Sequence, residues 1–252
     1  MKEIAMLFFL LSLMLPVKAQ KKSKPEENFY IMDENFKGTT IEKAKYLLHA
    51  VKKNDTCWQF DTYNMFGPII SSEQYKDEKG TEANGSSFYY NKKGEVDSAG
   101  DFNKGFQHGT WYYFNDTGKV IMKKNYQSGI VTLTEDLLKL DSLKKNNDTS
   151  DAHVEVESDF SGGINQWIKY LTKNMEYPER AIKSIIQGKV VVLFTVDADG
   201  KVYDARIAKS VEYSLDEEAL RLINKSPAWS PASIDGKKVK SYKKQPITFR
   251  LQ

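Results

Sequence analysis

The chain has 252 residues, 40% of them hydrophobic, and a formal net charge of +3. That length supports one large domain or two modest ones with real cores, and two is the expected number. So small a charge excludes a nucleic-acid binder that works by neutralising many phosphates, and the three histidines (His49, His108, His153) stand in unrelated contexts without a nucleophile, metal cluster or phosphate loop, which argues against an enzyme and against any cofactor or metal.

Residues 1–19 carry Lys2, a 12-residue apolar run from Ile4 to Leu15, and Val17-Lys18-Ala19 ahead of Gln20. This is the layout of a secretory signal peptide cleaved after Ala19. The rival reading is an uncleaved membrane anchor, but a spanning helix wants about 20 apolar residues and this run ends at Pro16. Export leads to an oxidising compartment, where Cys57 has no second cysteine to pair with; beside Trp58 it reads as a small buried hydrophobe. Four Asn-x-Ser/Thr triplets, at Asn54, Asn84, Asn115 and Asn147, are glycosylation acceptors in a eukaryotic secreted protein and turn-rich sequence in a bacterium. In the N-terminal segment 20–57, Ile41, Ala44, Leu47, Leu48 and Val51 share one helical face behind Thr40, which predicts a short helix from Thr40 to Lys52.

Residues 58–130 repeat. Gly85 and Gly109, Gly94 and Gly118, Phe102 and Tyr126, and Gly105 and Gly129 are each 24 apart, and a looser copy built on Trp58, Phe60, Tyr63 and Gly67 comes first. Glycines at turns and aromatics on strands predict consecutive hairpins, an elongated all-β meander in which Phe88, Tyr90, Trp111, Tyr113, Phe102 and Tyr126 stack from copy to copy as the core of a thin sheet. The unit GFQHGTWYYFNDTG resembles the bacterial MORN repeat over about Trp58 to Gly129. A charged, polar tract without hydrophobic anchors then marks a linker over 131–152.

From 153 to 252 the punctuation is regular. Ser161 precedes a stripe of Ile164, Trp167, Ile168, Leu171 and Met175 at helical spacing, and Pro178 opens a second helix with Ala181, Ile182, Ile185 and Ile186. In GKVVVLFTVDADGKVY the run from Asp197 to Gly200 invites a calcium-loop reading, which fails because the fifth and twelfth positions are Lys201 and Ala208 and the glycine arrives two residues early. Asp199-Gly200 instead predicts a two-residue type I′ hairpin between Lys189–Val196, covered on both faces, and Val202–Lys209, with Tyr203, Ala205 and Ile207 on one side. Ser214 and Glu217 read as a capping box for a helix running to about Asn224, a loop follows, and Ile247, Phe249 and Leu251 alternate in a final strand. The lysines at 237, 238, 240, 243 and 244 read as a solvated loop. The fold class is α+β: a three-stranded antiparallel sheet with helices on one face.

These residues carry a resemblance. Tyr177-Pro178, Gly188, Asp199-Gly200, Leu215, Ala219, Trp229, Pro231, Pro246 and Phe249 fall where the C-terminal domain of the TonB energy-transducer family places them, over about Phe160 to Leu251; Ala232 departs from the glycine usual after the proline of the tryptophan loop. The resemblance implies a periplasmic domain that takes the N-terminal peptide of an outer-membrane transporter as an added strand, while inner-membrane motor proteins load the transducer. An unpaired sheet edge supplies the main-chain bonds for such recognition. The final strand from Ser241 to Leu251 is the expected edge, with Tyr242, Gln245, Ile247, Thr248, Phe249 and Arg250 as the partner-binding residues, each also compatible with an ordinary core or surface place. The family's transducers use a spanning anchor and a long proline-rich spacer, and neither is visible in this sequence. Two readings therefore stand, a coupling protein held at the membrane by an uncleaved N-terminal segment or by a partner, and a soluble periplasmic adaptor; a strand-swapped homodimer is a further option.

Overall fold

The computed structural model describes residues 26–127, 131–133 and 155–251. The signal peptide at 1–19, most of the linker at 131–152, and His153 lie outside them. The first module is one antiparallel sheet of nine strands in sequence order: β1 (Glu27–Met32), β2 (Tyr46–Asn54), β3 (Cys57–Asn64), β4 (Ile69–Tyr75), β5 (Ala83–Tyr90), β6 (Val96–Asn103), β7 (Phe106–Phe114), β8 (Val120–Asn125) and β9 (Val131–Leu133). The sheet starts well before the first repeat. The helix expected over Thr40–Lys52 is absent; a single 3-10 turn (Ile41–Lys43) leads into β2, which pairs with β1 on one side and β3 on the other. Leu47, His49 and Val51 fit a two-residue period as well as the apolar set fits 3.6, and the ladder bonds to two neighbours decide between them.

One loop chemistry recurs at the turns. Asn91, Asn115 and Asp197 each accept two backbone N–H bonds on the side-chain oxygen, from the second and fourth residues onward, and each is followed three residues later by a glycine in the left-handed region. These Asx turns preset the chain before strand pairing begins. At Asp197 this corrects the expected two-residue turn: the loop closes through Asp197 N to Lys201 O (3.0 Å), and only Gly200 has positive φ. A type I turn followed by a left-handed glycine is the result. The tight Asp-Gly turn occurs instead at Asp235-Gly236, both at positive φ, between two short strands inside the expected loop.

The aromatic stack is also rearranged. Trp111 is buried over Gly100, with Phe102 and Tyr126 edge-on to it at 5.3 and 6.2 Å and Tyr89 stacked at 6.1 Å. Phe88 and Tyr90 occupy the opposite face of β5 and belong to the contact with the second module. Alternation along a strand makes this split unavoidable.

The second module is α+β. Helices α1 (Gly163–Asn174), α2 (Glu179–Lys183) and α3 (Tyr213–Asn224) accompany strands β11 (Gly188–Val196), β12 (Val202–Lys209) and β15 (Ser241–Phe249), ordered β12-β11-β15 and antiparallel throughout. A small sheet of β10 (Glu155–Val156), β13 (Ala232–Ile234) and β14 (Lys237–Val239) adjoins them, with Ala232 paired to Val239. The core is Val190, Val192, Phe194, Leu215, Leu222, Ile247 and Phe249, closed by Trp229, which meets Phe160, Trp167 and Phe194 within 5.7 Å. Ile164 and Ile168, expected inside, face solvent, because α1 turns Trp167 toward this aromatic cluster. A bulge near Asp204 (φ 53°) sets Tyr203 opposite Thr195 and Ile207 opposite Val192, so these two side chains fall on opposite faces rather than one. The cap of α3 is Glu212, whose carboxylate accepts from Ser214 N (2.9 Å) and Ser214 Oγ (2.6 Å), so the Ser214–Glu217 box does not form.

The modules dock. Tyr90 donates to Ile207 O (2.9 Å), Ser210 N donates to Gly94 O (2.8 Å), Ile69 N donates to Ser210 Oγ (2.9 Å), and Lys209 pairs with Glu95 (2.7 Å). The ring of Tyr213 lies edge-on to Phe29, His49 and Tyr63. Gly200 carries a sharp expectation of its own: its φ is +82°, and a Cβ there would stand 2.0 Å from Trp229 O. Gly200→Ala should cost about 3 kcal/mol or more through strain and displacement of the tryptophan loop. Urea unfolding followed by tryptophan fluorescence reads this directly, and an unchanged midpoint would contradict the packing described.

Candidate partner-binding edge

A sheet of three strands has two edges. Here β11 is central, so the edges are β12 and β15. The β12 edge is partly closed by the first module, through the Glu95–Lys209 bridge and the bonds from Ser210 N and Tyr90 Oη. Among the described residues β15 pairs only with β11, over all nine residues from Ser241 to Phe249, and its other side carries no strand. Pro246, which has no N–H to give, is compatible with a strand bonded on one side.

The strand alternates cleanly. Lys243, Gln245, Ile247 and Phe249 share the face that turns toward the helices, while Tyr242, Lys244, Pro246 and Thr248 are exposed on the other. The six expected residues therefore separate into two groups. Ile247 and Phe249 are fully buried, the latter edge-on to Tyr177 at 5.9 Å, so their side chains hold the core and only their backbone reaches the edge. Tyr242 and Thr248 are exposed, Gln245 is half-buried, and Arg250 is exposed immediately past the strand end.

Three lysines in this region were read from the sequence as loop. Lys243 instead donates to Ser158 O (2.7 Å), tying β15 to the segment after β10. Lys240 lies over the rings of Tyr203 and Tyr242 at 5.1 and 5.9 Å, and the neighbouring Tyr203 hydroxyl raises its pKa above the ordinary lysine value. Lys244 is exposed beside the loop carrying Gly118. Exposed cations on an open edge discourage indiscriminate strand pairing and favour an acidic partner. The signal for them was the same two-residue alternation that located Ile247 and Phe249.

Two of the three histidines, His49 and His108, lie among the described residues. His49 is buried against Glu27 (3.0 Å) and stacked on Phe29, and His108 meets Gln127 at 3.2 Å. Among the described residues no three His, Cys, Asp or Glu side chains are grouped to hold a metal, and no helix is long and apolar enough to cross a membrane.

The family model described as Gram-negative bacterial TonB protein C-terminal matches residues 173–251, the stretch from the end of α1 through β15. A solved structure of similar sequence is the NMR solution structure of the Helicobacter pylori TonB-CTD, residues 179–285; the likeness is 26% identical and covers 36% of this chain and 86% of that one, with a TM-score of 0.28. The α+β class rests on the strands and helices above, not on that superposition. No curated protein matches the chain.

The division of β15 is open to test. Phe249→Ala should destabilise the protein by about 3–5 kcal/mol, whereas Tyr242→Ala and Thr248→Ala should each stay within about 0.5 kcal/mol. Chemical denaturation of the three variants checks this, and a large loss from Thr248→Ala would mean that the exposed face is covered.

Proposed function

We propose that this protein acts on the periplasmic side of the envelope and binds the N-terminal peptide of an outer-membrane transporter by strand addition to β15. The observation that carries the reading is the asymmetry of the sheet: β12 meets the first module, while nine residues of β15 pair on one side only. The match of residues 173–251 to the TonB C-terminal family model supports the same partner class. Main-chain bonds along the open edge provide affinity, Tyr242, Gln245, Thr248 and Arg250 contact the incoming side chains, and Ile247 and Phe249 set the strand's position from below. The exposed Lys240 and Lys244 favour a peptide with acidic residues.

The first module is read as MORN-like repeats on the strength of the 24-residue step and the matching Asx turns at Asn91 and Asn115. Its docking against β12 favours the adaptor form of the hypothesis, in which two joined modules present one recognition edge without transmitting force. The coupling form requires an uncleaved N-terminal segment and contact with inner-membrane motor proteins. Determining the native N-terminal residue and the membrane partition separates them: Gln20 in the soluble periplasmic fraction favours the adaptor, Met1 with membrane retention the coupler.

Strand addition itself has a backbone signature. Transporter N-terminal peptides should bind the full chain, and N-methylation at alternate peptide residues should weaken binding about tenfold or more while side-chain truncations at the same residues cost less. Fluorescence anisotropy on paired peptides measures both. Equal losses from the two kinds of change would contradict strand addition, and a second copy of this chain pairing at β15 would appear as concentration-dependent mass in sedimentation.

A further inference from the structure

The contact between the modules encloses a cavity of about 500 Å³ that neither module forms alone. One wall comes from β1–β5, with His49, Asp61 and Phe88; the other from β12 and α3, with Arg206, Glu217 and Leu220. Its size is in the range of small-molecule sites, and contacts between domains are a usual place for them.

The polar groups on this lining are out of balance. His49 Nε2 faces the Glu27 carboxylate at 3.0 Å; a carboxylate only accepts, so Nε2 donates, and in the neutral ring Nδ1 is then a lone-pair acceptor. That Nδ1 is buried without a hydrogen-bond partner, in a side chain only 4% exposed. Asp61 is opposite His49 across the β2–β3 ladder and accepts from Ser72 Oγ (2.6 Å) and Gln59 Nε2 (3.2 Å); among the described residues it forms no ion pair, although Lys53 and His49 act on it at longer range. Among the described residues Glu217 has neither a hydrogen bond nor an ion pair, and its nearest electrostatic neighbours include His49 and Asp61. Burial raises the pKa of both carboxyls above the ordinary values.

The nearby cations are engaged elsewhere or lie at the rim. Arg221 is bound twice to Glu218, at 2.5 and 2.7 Å, Arg206 lies over the ring of Phe88 at 4.9 Å, and Lys53 is exposed. What remains inside is a set of acceptors from β2, β3 and α3 with apolar neighbours Val51, Ile69, Phe88 and Leu220. Half-buried carboxyls without an ion-pair partner are costly, and a primary ammonium offers three N–H donors and a compensating charge.

We propose that the cavity between the modules is a binding site for a small aliphatic primary amine, its ammonium held by Asp61, Glu217 and His49 Nδ1 and its carbon chain packed on Phe88 and Leu220. The proposal stands independently of strand addition at β15. Among the described residues no three ligating side chains are grouped closely enough for a metal ion, whereas an ammonium at hydrogen-bond distance accommodates a wider spacing. The amine also bridges the modules, since Asp61 belongs to one and Glu217 to the other, so its binding should stiffen the junction.

Isothermal titration of the full chain with 1,4-diaminobutane tests this, with tetramethylammonium as a cation that has no N–H donor. The expected result is a single saturable site for the diamine, with tetramethylammonium weaker by about tenfold or more. Asp61→Asn and Glu217→Gln should each weaken the diamine by about tenfold or more. Circular dichroism and tryptophan fluorescence verify that each variant is folded; if Asp61→Asn is not, Glu217→Gln decides alone, because among the described residues the Glu217 side chain makes no hydrogen bond or ion pair. No diamine binding up to about 10 mM, equal binding of tetramethylammonium, or unchanged affinity in a folded Glu217→Gln protein would each overturn the assignment.

Discussion

Ser210 is the joint on which the architecture depends. Its N–H donates to Gly94 O, its hydroxyl accepts from Ile69 N, and the same hydroxyl donates to Asp216 at the start of α3. Two backbone segments of the first module and the Asp216 carboxylate of the second are thus held by one residue that is itself buried. Gly94 leaves no room for error, since a Cβ there would stand 2.5 Å from Ser210 O. Buried polar contacts of this kind fix a relative orientation more sharply than apolar area does, because a small displacement leaves donors unsatisfied.

Two consequences run outward from this joint. The first is the difference between the edges: Glu95 and Gly94 lie along the end of β12, while among the described residues β15 pairs on one side only. The second is the cavity, whose walls come from opposite sides of the same contact and whose half-buried carboxyls, Asp61 and Glu217, come one from each module. Ring contacts of Tyr213 with Phe29, His49 and Tyr63 close one side of the interface, and Arg180, bound to Glu212 and to Met65 O, ties α2 to it as well.

Local chemistry was the readable part of the chain. The hairpin of β11 and β12 follows from a β-branched run, a turn and a second run, and the glycines at 94, 118 and 200 mark turns because an Asn or Asp three residues earlier organises each loop with its side chain. Alternation placed Ile247 and Phe249 in the core, and the same alternation makes them poor side-chain contacts for a partner, a point that a motif match alone does not distinguish. The 3.6-residue stripe at Thr40–Lys52 misled because a short segment fits two periods at once, and the decision lay with strands outside the segment.

The sequence by itself determined the class of each module, the repeat and its turns, and the strand that ends the chain, because propensity, periodicity and turn chemistry act over a few residues. Only the tertiary structure decided which edge the first module covers, which side of β5 receives Phe88 and Tyr90, and that Asp61, Glu217 and His49 line one cavity. Those outcomes depend on contacts between residues more than 100 positions apart, such as Ile69 with Ser210 and Tyr90 with Ile207. No local pattern encodes them, since the two faces of a strand look alike until something is packed on one of them.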